Sequence, residues 1–558
     1  MFSTKPNIQI LTSLLLKSGI TQVVLCPGSR NAALVHTFHA AGMKCYDITD
    51  ERSAGFFAIG LIEANGGAPV AVCVTSGSAV LNLAPAVSEA YYRNFPLLLI
   101  TADRPQQWIG QMDGQTLPQP GAFASMAAKC VSLPEPSDDE GRWYCNRLVN
   151  EALIALSRQS RPVHINVPVT EPFFDFSAPQ LPDERLVAFT SAADAPLSLS
   201  DDMLDEMGHC DNIVLLVGQM LPEEMARIAP SLLSLHEKGC TLLAENLSNI
   251  HTIPSLHGRY IGDFEAYINS PLTTDGELLL ITIGGHIVSK SLKKHFRANP
   301  PRHHWHVTPH GELTDLFMSL TRIVATTAEC FLNLLTLKGD IHLEMMQCNA
   351  NTPNNQTTNP PTLQTTKQPN DQTTGIGDLL MQIAFPDHRC SVMSEGGGDY
   401  ILQVANSSMV RTVQRLFSSA NPIHCNRGVN GIEGSVSAAI GYWVGSALPT
   451  MLLIGDLSFF YDQNGLWNKY VQHPSSAPLR IFILNNGCGK IFYHLPGLSS
   501  PYLDQSIAAS HTTTAQGTAF QCGAQYTAVN TPELLAQALP SFLDTTPDVR
   551  ILEVKSEE

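Results

Sequence analysis

The sequence is poor in positive charge. Of its 558 residues, 33 are lysine or arginine and 50 are aspartate or glutamate, so the formal net charge at pH 7 is −17. Proteins that bind nucleic acid carry basic patches or tails, and this chain has no basic tail. The charge argues against nucleic acid as a partner. It also means that individual arginine and lysine side chains must hold any anionic substrate against the field of the whole protein.

The sequence also lacks an apolar run long enough to cross a membrane, which takes about 20 residues. The apolar segment IQILTSLLLKSGI has no basic start and no small-residue cleavage site, so we interpret it as a first helix rather than a signal peptide. The thirteen cysteines contain no C-x-x-C pair and no regular spacing, which is typical of reduced thiols inside cells. We therefore expect a cytoplasmic protein without a membrane partner.

What the sequence does have is a repeated alternation of short β-branched runs and longer amphipathic segments. This alternation predicts βα units around buried, mostly parallel sheets. Three such blocks predict an α/β fold of three domains, each with a central sheet flanked by helices. We place the domains at 1–185, 195–345 and 376–558. Segment 348–375 is predicted to be a linker, because its Asn, Gln, Thr and Pro residues cannot form a core.

The predicted strands of the three blocks are TQVVLC, KCYDIT, PVAVCVT, FPLLLIT and RPVHINVP; NIVLLVG, CTLLAE, ELLLITIGG and HHWHVT; and YILQVAN, NPIHCN, TMLLIGD, PLRIFILNN and VRILEV.

Two consecutive strands of the third block end in oxygen-bearing side chains. TMLLIG is followed by Asp456, and PLRIFILN is followed by Asn486 and the loop GCGK. Ligands of open α/β sheets bind at the carboxyl ends of the strands, and carboxylate and amide oxygens suit Mg²⁺. Either motif alone is ordinary turn chemistry. Together, one βα unit apart, they predict a site for a metal ion and a diphosphate.

This spacing resembles the cofactor signature of thiamine-diphosphate-dependent enzymes. The resemblance implies that Asp456, the Asn486 side chain and the Cys488 carbonyl ligate Mg²⁺, with Mn²⁺ as the alternative, and that the ion anchors thiamine diphosphate. It implies further cofactor contacts at Gly77, Ile432, Gly455, Leu457, Ser458, Ile491 and Phe492. Two positions depart from the usual pattern, since Leu457 and Cys488 stand where many relatives have glycine.

Further motifs narrow the family. In chain order they are CPGSR (26–30), DER (50–52), TSGSA (75–79), TADRP (101–105), GQTLPQPG (114–121), ANSSMVR (405–411), NRGVNGIEG (426–434) and GDLSFFYD (455–462). With them the chain resembles the 2-succinyl-5-enolpyruvyl-6-hydroxy-3-cyclohexene-1-carboxylate synthase family of menaquinone biosynthesis, nearly from end to end. That family decarboxylates 2-oxoglutarate and adds the succinyl carbanion to isochorismate in a Stetter-like 1,4-addition. The resemblance implies pyrimidine, middle and diphosphate domains, and a homodimer or homotetramer.

Both substrates are dicarboxylates, and the planar fork of arginine suits a carboxylate. Four arginines fall in Gly-, Pro- or Ser-rich turns at the expected functional edge. The resemblance implies that Ser407, Arg411 and Arg427 bind the part derived from 2-oxoglutarate. It implies that Ser29, Arg30, Arg104, Gln115 and Lys290 bind isochorismate. Gly114 and Ser291 depart from residues that some relatives have there.

Glu51 has two interpretations. A carboxylate at the start of a helix suits the helix dipole, whereas the resemblance implies a catalytic carboxylate that hydrogen-bonds N1′ of the cofactor pyrimidine. We predict the second role, and we assign capping to Asp50 and a surface position to Arg52. Ile432 likewise either props the cofactor in a folded shape or packs on an ordinary helix face.

Two other functions stay open at this point. The chain could be a different thiamine-diphosphate-dependent 2-oxoacid decarboxylase or carboligase, although such enzymes need fewer cationic side chains. It could also be an inactive relative that serves as a binding subunit. The presence of Glu51, Asp456 and Asn486 together argues against that.

Overall fold

The computed structural model describes residues 1–188, 198–270, 277–337, 400–416, 421–474, 477–495 and 497–556, so the predicted linker 348–375 lies outside the described residues. The chain divides into two units. One comprises Met1–Thr190, Ile383–Phe417 and Ile423–Glu558; the other comprises Ser191–Gln382 and Ser418–Pro422. A search of the described helices for one long and apolar enough to span a membrane finds none.

The first unit begins with a six-stranded parallel sheet. Its strands are β1 (Gln22–Leu25), β2 (Lys44–Asp47), β3 (Val70–Val74), β4 (Leu97–Asp103), β5 (Lys129–Ser132) and β6 (Val163–Pro168). Its helices are α1 (Pro6–Lys17), α2 (Ala32–Ala40), α3 (Glu51–Ala64), α4 (Ser78–Asn82), α5 (Ala84–Arg93) and α6 (Asp139–Gln159). The strand order is β2-β1-β3-β4-β6-β5. β3 and β4 are buried along their whole length, which explains their continuous apolar sequences.

The second unit contains a five-stranded parallel sheet. Its strands are β7 (Asn212–Val217), β8 (Thr241–Ala244), β9 (Leu278–Ile283), β10 (His303–Val307) and β11 (Arg322–Val324). Its described helices are α7 (Asp201–Gly208), α8 (Pro222–Glu237), α9 (Phe264–Ile268), α10 (Lys290–Ala298) and α11 (Ala328–Leu337). The strand order is β11-β10-β9-β7-β8. Buried side chains form an apolar core on each face of this sheet.

The third sheet belongs to the first unit and again has six parallel strands. They are β12 (Ile401–Val404), β13 (Ile423–His424), β14 (Thr450–Gly455), β15 (Leu479–Asn485), β16 (Gln525–Val529) and β17 (Val549–Lys555). The described helices are α12 (Ser408–Leu416), α13 (Ser435–Ser446), α14 (Asp456–Tyr461), α15 (Lys469–Gln472), α16 (Gln516–Cys522) and α17 (Pro532–Phe542). The strand order, β13-β12-β14-β15-β17-β16, repeats the arrangement of the first sheet.

The α/β prediction with three parallel sheets is confirmed, while the domain boundaries stay a prediction. Three strands were missed, namely β5, β11 and β16, and all three lie at sheet edges. An edge strand is covered on fewer sides than a central one. These three accordingly mix exposed or half-exposed residues with buried ones, which removes the continuous apolar run that marks a parallel strand.

Helices α3 and α13 pack against each other without intervening side chains. Gly434 lies at the ring of Phe56, and a Cβ at Gly60 would come within 2.0 Å of the carbonyl oxygen of Ala438. Further along, a Cβ at Gly445 would stand 2.9 Å from the Cβ of Ala64. The contacts advance along both helices together, so the two helices run parallel. The segments that precede α3 and α13 therefore lie at the same end of the pair.

Candidate active site

The two predicted metal-ligating side chains lie together at the edge of the third sheet. Asp456 is the first residue of α14, directly after β14, and Asn486 follows the neighbouring strand β15. The Asp456 carboxylate accepts hydrogen bonds from the backbone N–H of Leu457 at 2.7 Å and of Asn486 at 3.1 Å. The Asn486 Oδ1 accepts one from the N–H of Cys488 at 3.3 Å. A carboxylate and an amide oxygen thus lie together at the ends of two neighbouring strands.

The surroundings of Asp456 suit a bound cation. Burial raises the pKa of its carboxyl, against the lowering effects of the Leu457 N–H and of His511. Its Oδ2 lies 3.4 Å from Nε2 of His511. A carboxylate, an amide oxygen and a carbonyl oxygen are hard donors of the kind that Mg²⁺ prefers. A Cβ at Gly455 would meet no atom within 4 Å, so open space lies before the strand end. These residues fit a metal ion that carries a diphosphate.

Cys488 stands where many relatives have glycine, but it does not strain the backbone of the loop. Gly487 adopts the left-handed conformation, with φ of +71°, whereas Cys488 is not among the described residues with positive φ. The residue that needs glycine is therefore Gly487, and a Cβ at 488 carries no conformational penalty. Ile491 and Phe492 follow on a 3₁₀ helix, Lys490–His494.

The other predicted cofactor residues of this loop lie at the same edge. Leu457 donates its N–H to Asp456, and Ser458 is buried one position further along α14. The ring of Phe492 lies against Gly489, within 2.8 Å of where a Cβ would stand.

Glu51 is the first residue of α3 and is half-buried, with Oε2 accepting a hydrogen bond from Nδ2 of Asn82 at 3.2 Å. The cap of the helix is made by Asp50, whose Oδ1 accepts the N–H of Ser53 at 2.8 Å. The capping assignment for Asp50 is confirmed, and Glu51 is not required for that purpose.

The surface assignment for Arg52 is incomplete, because the half-exposed side chain also contacts a second helix. Its Nη2 donates to the carbonyl oxygen of Tyr461 at 2.7 Å, and its guanidinium lies 4.8 Å from the centre of the Tyr461 ring. The cause is tertiary, because α14 ends beside the start of α3.

Ile432 lies in the turn before α13 and is 38 % exposed, so the alternative of packing on a helix face is wrong. Because α3 and α13 run parallel, Ile432 and Glu51 stand at the same end of the helix pair. An aromatic ring that carries a hydrogen-bonding nitrogen needs an apolar surface and a polar partner. At this end of the helix pair, Ile432 can offer the first and Glu51 the second.

Arg30 and Arg104 form a first pair of cations. Arg30 is 5 % exposed, and its Nη1 donates to the carbonyl oxygen of Val169 at 3.1 Å. The exposed carboxylate of Glu171 lies between the two guanidinium groups, 3.3 Å from Arg30 and 4.0 Å from Arg104. Burial lowers the pKa of Arg30, and the positive charge of Arg104 lowers it further. Two cations are thus held close enough to repel each other, with the exposed carboxylate of Glu171 between them and that of Asp113 3.1 Å from Arg104.

Gln115 and Gly77 lie beside this pair. Gln115 has φ of +56°, and its backbone comes within 3.2 Å of where a Cβ of Gly77 would stand. Gly77 has φ of +85° and donates its N–H to Oε1 of Gln119 at 2.9 Å. Arg104 donates from Nε to the carbonyl oxygen of Gly114 at 2.9 Å. Ser29 is exposed in the turn that precedes Arg30. The loop 114–121 therefore carries the contacts of Arg104 and of Gly77.

A buried network that was not predicted from the sequence supports this loop. Gln119 donates to Oδ1 of Asn166 at 2.9 Å, and Asn166 donates to Oδ2 of Asp103 at 2.9 Å. Asp103 in turn accepts the N–H of Arg104 at 2.8 Å. An asparagine inside the apolar run RPVHINVP was the available signal, because a buried amide needs partners.

Arg411 and Arg427 form a second pair. Ser407 has φ of +68° directly before α12, and Arg411, one turn later, donates from Nη1 to its carbonyl oxygen. Arg427 is buried after β13, and its Nη1 donates to Oδ1 of Asn406 at 3.1 Å. Burial and then the charge of Arg427 lower the pKa of Arg411. Nε of Arg427 has no hydrogen-bond partner among the described residues. That the Ser407 and Arg411 side chains face one pocket stays a prediction.

Lys290 belongs to the second unit, where it is the first residue of α10. Ser289 caps this helix by accepting the N–H of Leu292 at 3.1 Å. Ser291 stands where some relatives have a different residue. Its hydroxyl lies 3.0 Å from that of Ser289, so Ser291 belongs to the cap.

Comparisons with known proteins agree with these features. Residues 8–124 match the model of the thiamine pyrophosphate enzyme N-terminal TPP binding domain. The 2-succinyl-5-enolpyruvyl-6-hydroxy-3-cyclohexene-1-carboxylate synthase of Bacteroides thetaiotaomicron is 43 % identical over 559 residues, which cover 97 % of this chain and 94 % of that protein. The synthase of the same name from Phocaeicola vulgatus is 41 % identical and covers 99 % and 95 %.

The fold also resembles a solved structure, the thiamine diphosphate-dependent 4-hydroxybenzoylformate decarboxylase of Rhodococcus jostii RHA1. The TM-score is 0.69 at 18 % identity, with 99 % of both chains covered. At that identity the likeness shows the fold alone, whereas the curated relatives extend over nearly the whole chain. The chain belongs to the 2-succinyl-5-enolpyruvyl-6-hydroxy-3-cyclohexene-1-carboxylate synthase family, and it is a thiamine-diphosphate-dependent transferase of menaquinone biosynthesis.

Proposed function

We propose that the protein catalyses the Mg²⁺-dependent decarboxylation of 2-oxoglutarate and the Stetter-like 1,4-addition of the succinyl unit to isochorismate, which yields 2-succinyl-5-enolpyruvyl-6-hydroxy-3-cyclohexene-1-carboxylate and CO₂. Mn²⁺ is the alternative metal. The protein works in the cytoplasm as a homodimer or homotetramer, and light scattering that finds an active monomer would contradict the assembly.

The observation that carries the proposal is the presence of two separate arginine pairs in an acidic protein. In each pair, one arginine has its pKa lowered by burial and by the other member, Arg30 by Arg104 and Arg411 by Arg427. Such like-charge pairs are unfavourable unless an anion occupies the space between them. Two dicarboxylate substrates would supply that anion at both pairs, whereas a monocarboxylate such as pyruvate would satisfy one.

Asp456, Asn486 and the carbonyl of Cys488 would hold the metal ion and, through it, the diphosphate. Thiamine diphosphate, when bound, supplies a nucleophilic carbon and an electron sink for decarboxylation. Glu51 would accept and return a proton at the pyrimidine N1′, and Ile432 would support the ring from below. Arg411, Arg427 and the backbone at Ser407 would bind the carboxylates of 2-oxoglutarate.

The isochorismate side would be held by Arg30, Arg104 and Gln115, with Ser29 at the exposed rim. Glu171 now lies between the two arginines, and a substrate carboxylate would take its place, since Glu171 is 71 % exposed at its side chain and can turn to solvent. The role of Lys290 toward isochorismate stays a prediction from the family resemblance.

The test is a product assay with purified protein, 2-oxoglutarate, isochorismate, Mg²⁺ and thiamine diphosphate. We expect CO₂ and the succinyl adduct by mass spectrometry, and loss of both when EDTA replaces Mg²⁺. Turnover of pyruvate without the adduct would instead support a different 2-oxoacid decarboxylase. Calorimetry that detects no Mg²⁺-dependent binding of thiamine diphosphate would support the inactive relative.

A further inference from the structure

A buried glutamate outside the predicted site holds the loop that carries Arg427. Glu89 lies on α5 and is 1 % exposed. One of its carboxylate oxygens accepts the backbone N–H of Gly428, and the other accepts that of Val429, both at 2.9 Å. These two residues directly follow Arg427. The carboxylate therefore holds two consecutive peptide groups of a loop that is 339 positions away in the chain.

The loop approaches α5 as closely as a backbone can. A Cβ at Gly428 would stand 2.6 Å from the carbonyl oxygen of Glu89 and 2.8 Å from its carboxylate, so any side chain there would push the loop away. Glycine at this position and glutamate on the helix are thus two parts of one contact. The contact joins a helix of the first sheet to a loop of the third sheet within the same unit.

Glu89 shares the cation Arg93 with a second buried carboxylate, Glu63. Arg93, one turn along α5, lies 4.0 Å from Glu89 and 2.8 Å from Glu63 of α3. Gln403 donates to Glu63 at 3.2 Å, and His424 lies 3.8 Å from it. Burial raises the pKa of Glu89, while Arg93 and the two N–H groups lower it. A carboxylate that accepts two backbone N–H bonds is favoured in its ionised form.

The opposite side of the loop is held by Asn406. Its Nδ2 donates to the carbonyl oxygens of Asn426 and Gly431, and its Oδ1 accepts from Nη1 of Arg427 at 3.1 Å. Glu89 therefore holds the N–H groups and Asn406 holds the carbonyl groups. The guanidinium between them keeps one buried donor, Nε, without a partner among the described residues.

We propose that Glu89 is a positioning residue for 2-oxoglutarate: its carboxylate fixes the backbone after Arg427, so that the guanidinium is aimed beside Arg411 at the substrate carboxylate. The inference rests on the proposed function, because it takes 2-oxoglutarate as the ligand of this arginine pair. Glu89 itself touches neither substrate nor cofactor.

The test is Glu89→Gln, measured by steady-state kinetics with each substrate varied in turn. Glutamine has one acceptor oxygen, and its NH₂ group would face a second N–H donor, so one bond is lost and the loop shifts. We expect the KM for 2-oxoglutarate to rise about tenfold or more, with the KM for isochorismate and the Kd for thiamine diphosphate changed by less than about twofold. Glu89→Asp keeps both acceptor oxygens, so its KM for 2-oxoglutarate should lie between those of Glu89→Gln and the wild type.

The control is Glu245→Gln in the second unit. Glu245 also accepts two consecutive backbone N–H groups, those of Val288 and Ser289, each at 2.7 Å, and these precede Lys290. It should leave the KM for 2-oxoglutarate unchanged. Equal rises in both KM values for Glu89→Gln, or a fall in kcat alone, would show a merely structural role and overturn the inference. If Glu89→Gln does not fold, the same pattern is read from Glu89→Asp.

The wild-type enzyme separates the two claims. Wild-type turnover of both substrates together with unchanged kinetics in the Glu89 variants rejects the inference and leaves the proposed function intact. Absence of wild-type turnover rejects the proposed function itself.

Discussion

The first and third sheets share one strand order but present different chemistry at the ends of corresponding strands. After the first strands, β1 and β12, come a turn that carries Arg30 and a turn that leads into α12, which carries Arg411. After the second strands, β2 and β13, come Glu51 and Arg427. In a parallel sheet these turns all lie at the carboxyl edge. The shared topology thus fixes where functional residues stand, and the residue type alone decides what each turn does.

The third and fourth strands show the sharpest contrast. β14 and β15 end in Asp456 and Asn486, whose oxygens lie in one hydrogen-bonded loop. The corresponding β3 and β4 lead to Gly77 and Arg104, which bring a left-handed backbone and a cation instead. We therefore expect the edge of the third sheet to bind a cation and its anion, and the edge of the first sheet to bind an anion and an aromatic ring. Each prediction below changes one member of this comparison.

Asp456→Ala should have the largest effect. It removes the carboxylate that we expect to ligate the metal, so activity should fall by about a thousandfold or more. Calorimetry should no longer detect Mg²⁺-dependent binding of thiamine diphosphate. The matched control is Asp201→Ala, an exposed aspartate that also begins a helix. Retained metal-dependent binding in Asp456→Ala would contradict the assignment of the cation edge.

Glu51→Gln should lower kcat by about a hundredfold or more, because an amide cannot exchange a proton with N1′. Binding of thiamine diphosphate should persist, since we expect the diphosphate to be held at the other sheet. Glu140→Gln is the control, because Glu140 is an exposed carboxylate in the first turn of α6. Near-normal turnover of Glu51→Gln would indicate instead that Glu51 only stabilises the start of the helix through its charge.

An aspartate accepts a backbone N–H at the start of each of the helices α3 and α13. Asp50, at α3, is half-buried, whereas Asp462, at α13, is fully buried. Asp462 accepts the N–H and the hydroxyl of Ser437 in α13, at 2.8 and 3.0 Å, and burial raises the pKa of its carboxyl to about 6. The folded pKa exceeds the unfolded value of 3.8. The stability from this group is therefore full below about pH 4 and lost as pH rises through 6.

Asp462→Asn should remove this pH dependence. Between about pH 4.5 and 7, the free energy of unfolding of the wild type should fall by about 2 kcal/mol more than that of the variant. Denaturant titration at both pH values measures the difference. Asp50→Asn, which changes the half-buried cap of α3, should leave it in place. An identical pH dependence in Asp462→Asn and the wild type would contradict the assignment.

The smallest effects are expected in the loop after β15. Gly487→Ala should weaken binding of thiamine diphosphate by about tenfold, because φ is +71° there and the new Cβ would stand 3.0 Å from the carbonyl oxygen of His511. Cys488→Gly should change it by less than about twofold. Calorimetry on the two neighbouring variants decides which position the loop geometry depends on, and the reverse order would contradict the structure.

Much of the fold could be predicted because its central strands are covered on both faces and hence continuously apolar. The strands at β5, β11 and β16 could not, since partial exposure breaks that pattern. At the site, Asp456 and Asn486 were predictable because consecutive parallel strands end at one edge. The support of Arg104 by Asn166 was not, since it depends on which strands are neighbours.

The sequence by itself determined the family, and it predicted the residues that we expect to act: the oxygen donors, the arginines and Glu51. Only the tertiary structure decided their relations. Arg52 reaches α14, and Glu89 holds the loop of Arg427. The reason is physical. Residue type and local spacing fix what a side chain can do, whereas burial, pairing and the direction of a hydrogen bond arise only when distant segments pack together.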